Sequence, residues 1–123
     1  MKKIIFIGTS EFGLPTLEAL INNGYQIPAV ITSPDKPVGR NQQLKASPIK
    51  QVAQKNNLDV WQPEKIANCF EQIKTAKSDL ILTAAYGQFL PKEILSLPPF
   101  GALNLHGSLL PKYRGASPIQ SAI

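Results

Sequence analysis

The 123-residue sequence predicts an α/β protein on a doubly wound, Rossmann-like, mostly parallel sheet. Three observations point there. Short apolar runs rich in β-branched residues alternate with segments of helical period. The first strand, helix and strand fit within about 30 residues, the length of a βαβ unit, whose strands are parallel. The polar loops that carry reactive side chains follow strands, at the sheet end where ligands gather in this architecture.

Lys3 to Ile7, ending at Gly8, reads as a buried strand. A loop from Gly8 to Leu14 follows, and Pro15 opens a helix, where its missing N–H costs little. Leu17, Leu20 and Ile21 share one face of that helix, and Asn22, Asn23 and Gly24 end it. Ile27 to Thr32 is a second strand, with Pro28 near its start. From Ser33 to Ser47 the chain is polar and basic with no hydrophobic period, which predicts a long irregular loop. Pro48 opens a second helix with Ile49, Val52 and Ala53 inward. Val60 and Trp61 make a short third strand, and Glu64 to Thr75 a third helix with Ile66, Phe70 and Ile73 on one side. Leu80 to Ala84 is a fourth strand, Pro91 to Leu95 a short helix, and Ala102 to Leu105 a fifth strand. Another helix is expected to begin at Pro118. One domain suits this length.

Hydrophobic residues make up 43% of the chain, enough for a core and too many for global disorder. The net charge of +5 permits an anionic partner without requiring one. Between Ser33 and Lys50 stand Lys36, Arg40, Lys45 and Lys50 against the single acid Asp35, so this segment supplies +3. Cys69 is the only cysteine; an intrachain disulfide is excluded, and a reducing, cytoplasmic setting is expected. Its place beside Phe70 on a helix suits packing better than nucleophilic attack. No apolar run approaches a membrane span, and Ile4 to Ile7 is too short for a secretory leader. One histidine and one cysteine do not make a typical zinc site, so no metal is expected.

The densest chemistry lies at Asn104 to Pro111. Residues two apart on a strand face the same side, so Asn104 and His106 would project together from a strand's carboxyl end. An amide can donate to a developing oxyanion, and an imidazole can move a proton near neutral pH. A structural histidine at a strand end gives the same spacing. The loop from Ser108 to Gly115, with Lys112 and Arg114, suits either an anion site or an ordinary turn with solvated charges. Gly8 to Gly13 lacks the three-glycine dinucleotide pattern, and no acid ends the second strand, which argues against NAD.

Asn104-x-His106 followed by Ser108-Leu-Leu-Pro111 and Gly115 resembles the signature of the folate-dependent formyltransferase superfamily. Gly8-Thr-Ser-Glu-Phe-Gly-Leu-Pro15 is similar to the opening loop of the branch that formylates methionyl-tRNA. Pro34 to Arg40 with Ser47 to Lys50 resembles that branch's basic insertion, and Ser108 to Gln120 its long catalytic loop. The resemblance runs the length of the chain. It implies the amino-terminal formyltransferase fold, with 10-formyltetrahydrofolate as formyl donor and initiator methionyl-tRNA as acceptor. By resemblance, Asn104 and His106 are catalytic. Folate would lie against Tyr86, Gly87, Gln88, Phe89 and Leu90 and against Ser108, Leu109, Leu110 and Pro111. Lys36, Arg40 and Lys45 would contact tRNA. The family's catalytic aspartate and carboxyl-terminal β-barrel correspond to nothing in residues 1–123, so this chain is expected to be the first part of a catalytic domain and inactive by itself. Two other readings remain: a formyltransferase for a small amine, against which the basic segment speaks, and a non-catalytic folate- or tRNA-binding module.

Overall fold

In the computed structural model, residues 2–105 are described. Strand β1 is Ile4–Gly8, helix α1 Leu14–Asn22 and strand β2 Val30–Ile31. Next come β3 (Lys36–Val38), β4 (Gln43–Lys45), α2 (Pro48–Lys55) and β5 (Val60–Trp61). The order closes with α3 (Phe70–Ala76), β6 (Leu80–Ala84), α4 (Lys92–Leu95) and β7 (Ala102–Leu105). Five strands form one sheet in the order β5-β2-β1-β6-β7, every pair parallel. Counting only these five, the order is third-second-first-fourth-fifth, which follows the doubly wound order and reverses direction between the first and fourth strands. The chain winds outward from β1 on one side and returns to build on the other. The crevice of this topology therefore lies between the loops after β1 and β6.

All five residues of β1 are buried, because a central parallel strand has both faces covered. Its alternation divides the core. Ile4 and Phe6 meet Leu17 and Leu20 of α1 and Ile49 and Ala53 of α2. Ile5 and Ile7 point the other way, toward Ile66, Ile73, Ile81 and Ile94. Cys69 is buried in this second layer, which agrees with the packing role read from the sequence. Among the described residues no helix is long and apolar enough to cross a membrane.

Three elements differ from the sequence reading. The second strand narrows to Val30–Ile31. Gln26 and Ala29 still offer carbonyls to Ile4 and Phe6, but Pro28 has no N–H to give to a neighbour and the ladder is interrupted there. The third helix starts late: Ile66–Cys69 is a 3-10 turn and α3 begins at Phe70. The side chain of Gln88 takes the Ile66 N–H and donates to the Glu64 carbonyl, so this stretch is tied to a distant loop rather than to a helical ladder. The predicted loop from Ser33 to Ser47 contains an antiparallel ribbon, with Lys36 opposite Lys45, Pro37 opposite Leu44 and Val38 opposite Gln43. Gly39, with φ 73°, and Gln42, with φ 52°, turn the ribbon, and the Gly39 carbonyl accepts from both the main-chain N–H and the side-chain amide of Gln42. The helix expected at Pro118 lies outside the described residues.

The backbones of β1 and β6 approach closely at the carboxyl end of β1. A Cβ built on Gly8 would sit 2.6 Å from the Ala84 carbonyl oxygen and 3.0 Å from the Phe6 ring. Gly8→Ala must therefore push β1 and β6 apart, at a cost of about 1–3 kcal/mol. Urea unfolding of the two proteins measures this; equal midpoints would show that the approach has slack.

Candidate functional site

The site is built on three strand ends. After β6 the chain turns sharply, with Ala85 at φ 54° and Gly87 at φ 92°. The turn aims the Ala85 carbonyl back at β1, where it accepts from the N–H groups of Thr9 and Ser10 at 3.1 and 3.3 Å. Thr9 Oγ1 also donates to the Tyr86 carbonyl at 3.3 Å. The loops after β1 and β6 are thus laced together at the topological switch point.

Beside them, β7 brings Asn104 level with Thr83 of β6. The Thr83 hydroxyl donates to Asn104 Oδ1 at 2.8 Å. Asn104 Nδ2 has no hydrogen-bond partner among the described residues. A cleft of about 280 Å³ opens here, lined by Thr83, Ala85 to Gln88, Leu90, Asn104 and Leu105. Of the expected folate residues, Tyr86, Gly87, Gln88 and Leu90 are therefore brought to one cleft with Asn104. His106 and Ser108, Leu109, Leu110 and Pro111 lie outside the described residues.

These loop residues do different work. The Tyr86 side chain is only 5% exposed and packs with Cys69 and Ile94, so its main chain, rather than its ring, is what can face a ligand. Its hydroxyl has no partner among the described residues. Burial, with a smaller contribution from Cys69, pushes its pKa up to about 12, and the phenol stays neutral at physiological pH. Burial also raises the Cys69 thiol, which keeps it a poor nucleophile. Gln88 spends its amide on Glu64 and Ile66. Phe89 stands apart from the cleft: it is 85% exposed and borders a separate hollow with Ile66 and Pro91.

The basic ribbon is anchored to the same end of the sheet. Lys50 Nζ meets both carboxylate oxygens of Asp35 at 3.1 Å, and Gln62 Nε2 reaches Asp35 Oδ1 at 2.8 Å and the Ser33 carbonyl at 3.2 Å. Hydroxyls continue the anchor, Thr32 with Ser47 at 2.8 Å and Ser33 with Thr9 at 2.9 Å. Ser47 also caps α2 by accepting the Lys50 N–H. Lys50 is thereby committed to the frame. Lys36, Arg40 and Lys45 are exposed and have no carboxylate partner among the described residues. Thr9 joins the two regions, bonding Ser33 at the ribbon's base and Tyr86 beside the cleft. The sequence reading missed Thr9, Thr83 and Gln62. Thr83 was hidden inside an apolar run, where a lone hydroxyl was the available signal.

Residues 2–123 match the sequence profile of the formyl transferase family. A methionyl-tRNA formyltransferase of Methylacidiphilum infernorum is 54% identical over 126 residues, covering 100% of this chain and 39% of that protein. The one from Mycoplasmopsis pulmonis is 53% identical, covering 98% of this chain and 42% of its own length. The chain thus spans about two-fifths of the length of these curated relatives. Among solved structures, glycinamide ribonucleotide transformylase 1 from Symbiobacterium toebii matches with a TM-score of 0.64 at 20% identity, over 94% of this chain and 56% of its own. A formyltetrahydrofolate deformylase from Pseudomonas putida matches with a TM-score of 0.60 at 20% identity, over 95% of this chain and 42% of its own. The two structures share the fold.

The anchor of the ribbon is acid-sensitive. Hydrogen bonding from Gln62, then from Lys50, holds the Asp35 carboxyl below its ordinary 3.8, against the opposing effect of burial. A lowered folded-state pKa means that the unfolded chain binds the proton more readily. The contribution of Asp35 is therefore complete above 3.8 and is lost as the pH falls through the folded value. Asp35→Asn should lower the urea midpoint at about pH 7, and the gap should narrow as the pH is taken below 3.8. A gap that stays constant with pH would remove Asp35 from the anchor.

Proposed function

The chain belongs to the formyl transferase family, and from this we propose that it supplies the amino-terminal part of an enzyme that transfers a formyl group from 10-formyltetrahydrofolate to the α-amine of initiator methionyl-tRNA. The carrying observation is a juxtaposition at one end of the sheet. The Asn104 amide opens on a cleft there, and three exposed cations stand on a ribbon tied to the same loops. The relatives at 54% and 53% identity, both named methionyl-tRNA formyltransferase, support the choice of acceptor.

In this reading the cleft receives the pterin end of the folate. The turn at Ala85 and Gly87 leaves main-chain groups to pair with the alternating donors and acceptors of a pterin edge, and Leu90 supplies an apolar wall. The amine nitrogen attacks the formyl carbon. As that N–C bond forms, the carbonyl oxygen gains negative charge, and Asn104 Nδ2 donates to it. The bond from the formyl carbon to the folate N10 then breaks, and the proton shed by the amine goes to N10. His106, two residues on from Asn104, is the group of this chain suited to carry that proton. Lys36, Arg40 and Lys45 hold phosphates of the acceptor arm. A small amine would leave this cationic ribbon without a task.

The test uses an enzyme of the relatives' length with these 123 residues at its amino end. It should formylate methionyl-tRNA and leave small amines such as glycinamide ribonucleotide untouched; the reverse preference would overturn the assignment. Arg40→Ala should raise the KM for tRNA about 10-fold, the order expected for one charge-assisted phosphate contact, and leave the KM for folate unchanged. Equal rises in both would detach Arg40 from RNA. With about three phosphate contacts, log affinity for tRNA should fall with log salt at a slope of roughly −2 to −3, and Arg40→Ala should make it shallower by about 1. A salt-independent affinity would remove the ribbon from the RNA interface.

A further inference from the structure

We infer that Thr83 is a positioning residue: its hydroxyl donates to Asn104 Oδ1 and thereby turns the amide's N–H groups toward the cleft. The inference rests on the proposed role of Asn104 as oxyanion donor.

Thr83 and Asn104 are register partners on β6 and β7 and project from the same face. The Thr83 side chain is 2% exposed, and its hydroxyl donates to Oδ1 at 2.8 Å. A primary amide has two ends of nearly equal shape and opposite hydrogen-bonding character. Rotating it by half a turn would aim Oδ1 at the cleft, where it would repel the charge that Asn104 is proposed to stabilise. Nothing in the bulk of the side chain prevents this rotation.

The hydroxyl proton decides the matter. In the observed orientation it has an acceptor, Oδ1. In the flipped orientation Nδ2 would donate to the hydroxyl oxygen, and the hydroxyl proton would lose Oδ1, the acceptor it uses in the structure. A buried donor left without a partner disfavours its state by roughly 10- to 100-fold. The surroundings sharpen the point. Thr83 stands in the layer of Ile81 and Ala102, where valine would fill the same space without a hydroxyl to desolvate. A hydroxyl there costs something unless it has a bond to make, and the bond it makes is to the amide at the cleft.

Thr83→Val keeps the shape and deletes the donor. In the longer enzyme described above, single-turnover formyl transfer should slow about 10-fold with the KM for tRNA and folate nearly unchanged, since the loss falls on the transition state. Thr83→Ser should stay within about 3-fold of the parent, because it restores the donor. In an Asn104→Ala background, Thr83→Val should add less than about 2-fold, since Thr83 acts through the amide. Should Thr83→Val not fold, Thr83→Ala carries the same comparison. A parental rate in Thr83→Val, or the same 10-fold fall with and without Asn104, would falsify the positioning role. A parental rate in Asn104→Ala alone would instead overturn the oxyanion reading of Asn104, and this inference with it.

Discussion

The close approach of β1 and β6 at their carboxyl ends governs the rest of the site. Gly8 pairs with Ala84 there, and only a residue without a side chain leaves room for the Ala84 carbonyl. Immediately beyond, Ala85 takes a left-handed conformation that a residue with a Cβ adopts at some cost. The turn places its carbonyl to accept two N–H groups from the loop after β1. Those bonds satisfy main-chain groups that would otherwise be orphaned where two parallel strands end. The switch point is thus held mainly by backbone hydrogen bonding, with the Thr9 hydroxyl adding a bond to the Tyr86 carbonyl.

From this junction the site spreads in two directions. Toward β7, the regular parallel ladder carries its register to Asn104, so the amide's height above the sheet is fixed by strand pairing, and its Oδ1 accepts from the Thr83 hydroxyl. Toward β2 and α2, hydroxyl contacts run from Thr9 to Ser33 and from Thr32 to Ser47, and join the cleft to the foot of the basic ribbon. Most of these partners are short side chains with few rotamers, which lose little entropy when fixed. The cleft and the cationic ribbon are thereby joined through one set of hydrogen bonds at the strand ends.

What the sequence revealed depended on whether a signal was local and periodic. The central strands were legible because each is an unbroken apolar run buried on both faces, and Asn104 was legible as the first polar residue after such a run. The ribbon was not. All of β4 is exposed, so neither period two nor a buried face marks it, and Gly39 alone hinted at a turn. The late start of α3 was illegible for another reason: Gln88, which holds Ile66, lies 22 residues away. The burial of the Tyr86 ring was not legible either: it fills the layer beneath the sheet and packs with Cys69 and Ile94, contacts distant in sequence.

The charges of the ribbon complete the physical picture. Lys36 and Lys45 are directly opposed across it, an arrangement that destabilises an isolated pair of strands. Its apolar content offers little compensation, since Leu44 is 69% exposed. The fold answers at the base rather than along the ribbon. Asp35 takes Lys50, the cation nearest the body, and leaves Lys36, Arg40 and Lys45 without a carboxylate partner among the described residues. A carboxylate placed further out would have stabilised the hairpin more and cancelled the field it projects. Anchoring the foot while leaving the rest of the ribbon cationic gives up local stability and keeps a concentration of positive charge at this end of the sheet, a distribution that attracts anions.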